Sequence, residues 1–402
     1  MCEVRRRSGA EVECLGVVED GAIVAGAALE IHRSRLSTFA EVHDGPLCDL
    51  ADEELARFFF SELAARAKAA GAAQLSITPE LPYRVRDGFG RELPPAGELP
   101  AGVPANARRD AASAEFALIE GAGFIHSGFD RDYNAIPRWR YVKDLSGIGG
   151  EQELLASYSK NTRRDIRIAE SSFITVSRAE RADMADFHAI CQLSSDKQGF
   201  DNRPLAYFEL LFDCMGDSAD FMIARMDTAA YLASCEEKRS SFAEKVERIE
   251  AAIAAGGAPE KNRRRLADAQ EQLQGVLKRI DEARALIERD GESAPVAAAM
   301  FVRHPRECVY LFSGSNPAYG AFCAPSAIQH RMLADSLARG IRRYNFYGIN
   351  GVFDDPGDPG RGLLEFKQGF NGYVEEMMGS FTLPVRPLAY AAKQLAHKVL
   401  GR

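Results

Sequence analysis

Apolar residues recur along this chain in two rhythms. Short apolar runs mark strands at 22–29, 75–77, 296–302, 308–312 and 344–346. Spacings of three and four mark helices instead. One helix is predicted from about 52 to 70, with Leu55, Phe58, Phe59, Leu63 and Ala67 on one face. Asp52 is its expected N-cap and Gly71 its stop. A second is predicted from about 325 to 339, carrying Ile328, Met332, Leu333 and Leu337 and ending at Gly340. With a second strand leading to Asp44, Gly45 and Pro46, the order strand, strand, loop, helix, strand thus occurs twice. This predicts an α/β architecture made by duplication, with two similar sheets and a cleft between them.

Residues 236–290 follow a different rule. They hold twelve basic and twelve acidic residues, and Phe242 is their one aromatic. Apolar residues recur at Phe242, Val246, Ile249 and Ile253, then at Leu266, Leu273, Val276, Leu277, Ile280 and Ile287. Gly256, Gly257, Ala258 and Pro259 interrupt them. The pattern predicts an antiparallel helical hairpin with a narrow seam, each arm reaching roughly 30–40 Å from a globular body.

The 402 residues are enough for two to three domains. A net charge of −8 argues against a uniform grip on nucleic acid, so any RNA contact must be a local basic patch. Eight cysteines form no C-x-x-C pair and seven histidines no H-x-x-x-H spacing, so no metal is expected. The first residues lack the apolar core of a secretory signal, and the longest apolar stretch, 21–29, is too short to span a bilayer. A reducing cytoplasm is the expected compartment.

Three segments suggest chemistry. Lys160, Arg163, Arg164 and Arg167 fall at i, i+3, i+4 and i+7, a basic helical face suited to phosphate or solvated beside Asp165 and Glu170. Arg203 precedes Pro204, which can open a helix, and Tyr207 follows one turn on, so an anion site at that helix start competes with a surface arginine beside a core tyrosine. Phe366 and Lys367 sit near the end of a loop, 348–372, with seven glycines. Such a lysine can stabilise an oxyanion or cover apolar neighbours with its stem.

Five stretches then combine: His43 to Pro46, 136–145, 160–170, 203–208, and 344–349 followed by 364–370. In that order they resemble the Fem family of peptidoglycan interpeptide-bridge aminoacyltransferases, across nearly the whole chain. The resemblance implies two tandem GNAT-like domains with an inserted antiparallel coiled-coil arm. The expected division is 1–146 plus about 379–402, 147–235 plus 291–378, and the arm at 236–290. It also implies transfer of an amino acid from aminoacyl-tRNA to a stem-peptide amine of a precursor, either lipid II or UDP-MurNAc-pentapeptide, with no cofactor. Lys367 matches the family's catalytic lysine and Phe366 its channel aromatic. Arg203 and Tyr207 match the pair that holds the precursor's diphosphate. The family's other phosphate lysine falls within Arg5, Arg6 and Arg7, of which Arg6 and Arg7 are the expected ligands; Ala10 stands where the family has tryptophan. The basic face at Lys160, Arg163, Arg164 and Arg167 is then the expected tRNA or phosphate contact.

The general base stays open among Asp354, Asp355, Glu365 and the substrate's own phosphate. The arm could serve tRNA contact, support or a homodimer. The C-terminal segment 387–402 is a basic amphipathic helix whose Leu388, Ala392, Leu395 and Leu400 are expected to pack on the first domain; attachment to the inner membrane surface is the weaker reading. A GNAT enzyme using acyl-CoA is disfavoured, because neither copy has an R/Q-x-x-G-x-G/A loop before its helix. A non-catalytic coiled-coil protein would bind through 236–290 without turnover.

Overall fold

The computed structural model describes residues 1–34, 37–131, 136–199, 201–256 and 259–400. Gly257 and Ala258 of the predicted breaker, Gly401 and Arg402 of the tail, and the side chain of Leu400 lie outside the described residues. Fourteen strands form among them. The first seven are β1 (Glu11–Glu19), β2 (Ala22–Arg33), β3 (Thr38–Val42), β4 (Leu75–Ile77), β5 (Pro82–Arg86), β6 (Ile125–His126) and β7 (Trp139–Asp144). The others are β8 (Ile174–Arg178), β9 (Ala219–Asp227), β10 (Ser293–His304), β11 (Glu307–Ser315), β12 (Arg343–Ile349), β13 (Tyr373–Met377) and β14 (Phe381–Leu383).

The duplication is real at the level of pairing. In the first copy β2 pairs antiparallel with β3, and β3 pairs parallel with β4 after the helix Glu53–Ala69. In the second, β10 pairs antiparallel with β11, and β11 pairs parallel with β12 after the helix Ala324–Ala338. Asp52 caps the first helix by accepting from Leu55 N at 3.0 Å. Its buried face is Ala56, Phe59, Phe60, Leu63 and Ala67, while Phe58 is 52% exposed. The expected Phe58 is displaced by Phe60 because a turn of 3.6 residues puts 56, 60, 63 and 67 in one stripe.

Two sheets result. The smaller runs β1-β2-β3-β4-β14-β6 and the larger β5-β13-β7-β12-β11-β10-β9-β8. The expected boundary at 146 does not follow the sheets: β5 and β7 lie in the larger one, paired with β13. β14, near the end of the chain, lies in the smaller sheet, paired with β4 and β6. Alternation along the larger sheet feeds two cores. Phe221, Ile223, Ala298 and Met300 point to one face, and Met222, Ala224, Ala299 and Phe301 to the other.

The arm stands where a hairpin turn would otherwise join β9 to β10, whose ends Asp227 and Ser293 are paired. Its helices, Thr228–Ala254 and Pro259–Asp290, have 27 and 32 residues and so reach about 40 and 48 Å. Asp227 accepts from Ala230 N at 2.8 Å, and Thr228 Oγ1 donates to Gly291 O at 2.8 Å, which ties the base. The first helix begins before 236, at Thr228, and Cys235 packs with Val276 and Ile280 beside Tyr231 and Phe242. The C-terminal helix Pro387–Leu400 departs from expectation. Leu388 is 89% and Leu395 66% exposed, so neither packs on the first domain.

Candidate active site

Lys367 lies on the helix Arg361–Gln368 and is only 2% exposed. Its ammonium donates to Gly348 O at 2.6 Å and to Tyr347 O at 3.4 Å, at the end of β12. Burial pushes its pKa down to about 7, because a buried charge loses water that two carbonyls only partly replace. An ammonium has three N–H donors, so one is left over. Phe366 is half-buried beside Phe370, ring centroids 5.5 Å apart. A second buried lysine, Lys143, which the sequence did not single out, donates to Phe370 O at 2.8 Å and Asn371 O at 3.2 Å. Burial lowers it to about 8. The two lysines fasten both ends of the glycine-rich segment.

The basic helix Lys160–Ser171 abuts this segment. Its N-cap Ser159 donates its backbone N–H to Gly369 O at 2.9 Å. Gly369 has to be glycine here, since an added Cβ would fall 2.2 Å from Thr162 Oγ1. Lys160, Arg164 and Arg167 are exposed and Arg163 half-buried. Arg167 Nε donates to Arg163 O at 3.1 Å, and Arg164 stands 3.7 Å from Asp165. The predicted basic face and Lys367 therefore belong to one neighbourhood.

Arg203 and Tyr207 belong to another. Tyr207 lies on the helix Leu205–Met215, which packs on the opposite face of the larger sheet from the core that takes Leu364 of the Lys367 helix. Arg203 is exposed and stacks over Tyr207, 5.5 Å from its centroid. The N-terminal helix Cys2–Arg7 packs on the same side through Val4. Its expected ligands are spent locally: Arg6 donates to Val12 O at 3.1 Å, and Arg7 pairs with Glu3 at 2.8 Å. Arg5 pairs with Glu30 on β2. A helix of six residues turns neighbouring side chains by 100°, so Arg5 and Arg6 reach the smaller sheet at different strands, β2 and β1, while Arg7 turns back to Glu3.

Between the sheets lies a cavity of about 330 Å³. Glu41, His43, Thr78 and Ser380 line it from the smaller sheet, and Pro137, Arg138 and Arg140 from the larger. Neither Lys367 nor Arg203 lines it. Lys367 lies behind the wall: an added Cβ on its acceptor Gly348 would stand 2.9 Å from Pro137, and Arg140 lies 5.9 Å from the ring of Tyr347. Arg140 also binds Glu80 and, at 2.8 Å, Asp44. Burial pushes the Glu80 carboxyl up, against the pull of Arg140. Its second oxygen is buried without a hydrogen-bond partner. Two of the carboxylates named from sequence are engaged elsewhere. Asp355 accepts from Gly357 N at 2.8 Å, and Glu365 pairs with Arg361 at 2.7 Å. Sequence reading passed over Glu80 because only a side-chain hydrogen bond across 60 positions brings Arg140 to it.

Twin α/β lobes, a cleft between them and a buried ammonium behind its wall define a protein of a doubled α/β class. The FemAB family model matches residues 1–398, and the chain belongs to the FemAB family. It is 25% identical over 404 residues to "Aminoacyltransferase FemA" of Staphylococcus aureus strain bovine RF122 / ET3-1, covering 100% of this chain and 92% of that protein. The same figures hold for the protein of that name in strain N315. The crystal structure of FemX shares the fold with a TM-score of 0.72 at 18% identity, covering 100% of this chain and 93% of that one.

Proposed function

We propose that the protein is an aminoacyltransferase that moves an amino acid from aminoacyl-tRNA onto the stem-peptide amine of a peptidoglycan precursor, building the interpeptide bridge. The observation that carries this reading is the family match along residues 1–398, with relatives named as aminoacyltransferases at full coverage. The geometry supports its parts. The exposed cations of the helix Lys160–Ser171 take the tRNA backbone and bring the 3′ ester to the neighbouring Lys367. Arg203, stacked on Tyr207, takes the precursor's diphosphate.

In the transfer, the neutral amine attacks the ester carbonyl, a C–N bond forms, and the C–O bond to the tRNA ribose breaks. Lys367 uses its third N–H to hold the charge that develops on the carbonyl oxygen. Glu80 accepts the amine's proton through its unpartnered oxygen and returns it to the ribose hydroxyl. Phe366 walls the acceptor path.

The enzyme works at the inner face of the membrane on the lipid-linked precursor. No helix of the described residues is long and apolar enough to cross a membrane. The exposed leucines of Pro387–Leu400 and the absence of acidic residues from it suit an anionic surface. The test is direct: incubate the enzyme with charged tRNA pools and each precursor, then weigh the products. A gain of one aminoacyl residue on the lipid-linked precursor is expected. No gain with any charged tRNA would reject the activity, and a gain only on the nucleotide precursor would reject the membrane assignment.

A further inference from the structure

Four titratable side chains outside the transfer site share one patch of the smaller sheet. Glu30 and His32 are two apart on β2, and Glu41 and His43 are two apart at the end of β3. Glu30 and Glu41 are direct cross-strand partners. Leu29, Ala40 and Val42 point to the helix-covered core. Alternation therefore turns Glu30, His32, Glu41 and His43 to the other face, and Glu41 and His43 line the cavity.

Their atoms converge. His32 Nε2 stands 3.7 Å from Glu30 Oε2 and 3.4 Å from Glu41 Oε2, and His43 Nε2 stands 3.2 Å from the same Glu41 oxygen. The donors of Glu30, His32 and His43 all lie within 4.8 Å of one another. In a tetrahedral zinc site with bonds of about 2.0–2.1 Å, ligand atoms stand roughly 3.3–3.4 Å apart, 1.63 bond lengths. Three of the separations, 3.2, 3.4 and 3.7 Å, are close to that size. His32 Nε2 is buried without a hydrogen-bond partner, while its ring stacks on Phe39 at a centroid distance of 4.7 Å, which fixes its plane. Arg5 holds Oε1 of Glu30 and leaves Oε2 toward the imidazole, the way outer partners orient metal ligands.

We propose that Glu30, His32, Glu41 and His43 form a binding site for one divalent transition-metal ion of the zinc class. Two imidazoles and two carboxylates suit zinc better than magnesium or calcium, which prefer all-oxygen shells. Four protein donors close the shell, so the ion ties β2 to β3 at the cleft wall and does not activate water. The spacing rule applied to the sequence missed this set because its ligands come in pairs two apart on neighbouring strands.

The test uses the full chain, stripped with chelator and titrated with Zn²⁺ by calorimetry. It is made in a Cys14→Ser background, because Cys2 and Cys14 Sγ lie 3.7 Å apart and offer a competing thiol pair. One ion per chain and a rise in melting temperature with Zn²⁺ are expected. His32→Ala and His43→Ala should each weaken binding at least ~100-fold, since losing an outer partner alone costs about 10–100-fold. Glu41→Gln keeps the shape and should weaken it as well. Absence of a saturable one-per-chain site in the parent would overturn the proposal. So would parental affinity in the His32→Ala, His43→Ala double variant or in Glu41→Gln.

Discussion

Lys367 concentrates the residue-scale consequences. Replacing it with Met should lower transfer at least ~100-fold, the cost of an oxyanion donor, with the circular-dichroism spectrum unchanged. Wild-type turnover in that variant would remove it from the mechanism. Its pKa near 7 sets two pH effects. The cation that assists transfer is lost as pH rises through about 7, so kcat should fall there; in Lys367→Arg, which stays charged, that limb should vanish. Stability moves the other way. Between about 7 and the unfolded value of 10.5 the unfolded chain holds a proton that the folded chain has shed, so the buried lysine's penalty eases as pH rises. Melting temperature measured against Lys367→Met over that window should show the gain. At Arg203, exposed over Tyr207, Arg203→Ala should weaken precursor binding more at low salt than at high salt. An unchanged dissociation constant would reject the phosphate contact.

Elements were legible in the sequence where local rules govern them. Asp52, Gly71 and Gly340 bound their helices as caps and stops should, and the arm's seam at Ile249, Val276 and Ile280 is buried. The site was legible only residue by residue. Lys367 and the basic helix lie together, but through Gly369, whose close approach to Thr162 no spacing encodes. Glu80 and Lys143 went unnoticed, and Arg5 ranked behind Arg6 and Arg7, because each gains its meaning from a partner on a distant strand or loop. The C-terminal helix misled because amphipathicity says that a face needs cover and not what covers it. Two element-scale outcomes follow from this. Removing Lys160 and Arg164 together should flatten the plot of log affinity against log salt for tRNA, by about 0.7–0.9 for each phosphate no longer neutralised. Leu388→Asp with Leu395→Asp should abolish sedimentation with anionic vesicles and leave transfer to a water-soluble precursor analogue intact.

For the whole molecule, strand exchange matters more than lobe count. The larger sheet borrows β5 and β7 from the first half of the chain, and the smaller takes β14 from its far end. Arg5 to Glu30 and Arg140 to Asp44 add ties across the cleft. Thermal unfolding should therefore be one cooperative transition, with calorimetric and van't Hoff enthalpies in agreement. Two resolved transitions would mean that the lobes are independent.

The position of β14 has a consequence for biosynthesis. Among the described residues β14 is the one ladder partner of β6, and it fills the gap beside β4, where Ser76 and Thr382 share a hydrogen bond across 306 positions. While a ribosome is still making the intervening chain, the nascent first lobe carries an open seam flanked by unpaired backbone. Its last hydrogen bonds wait for almost everything else to be made, so this lobe is the one that chaperones should shelter longest.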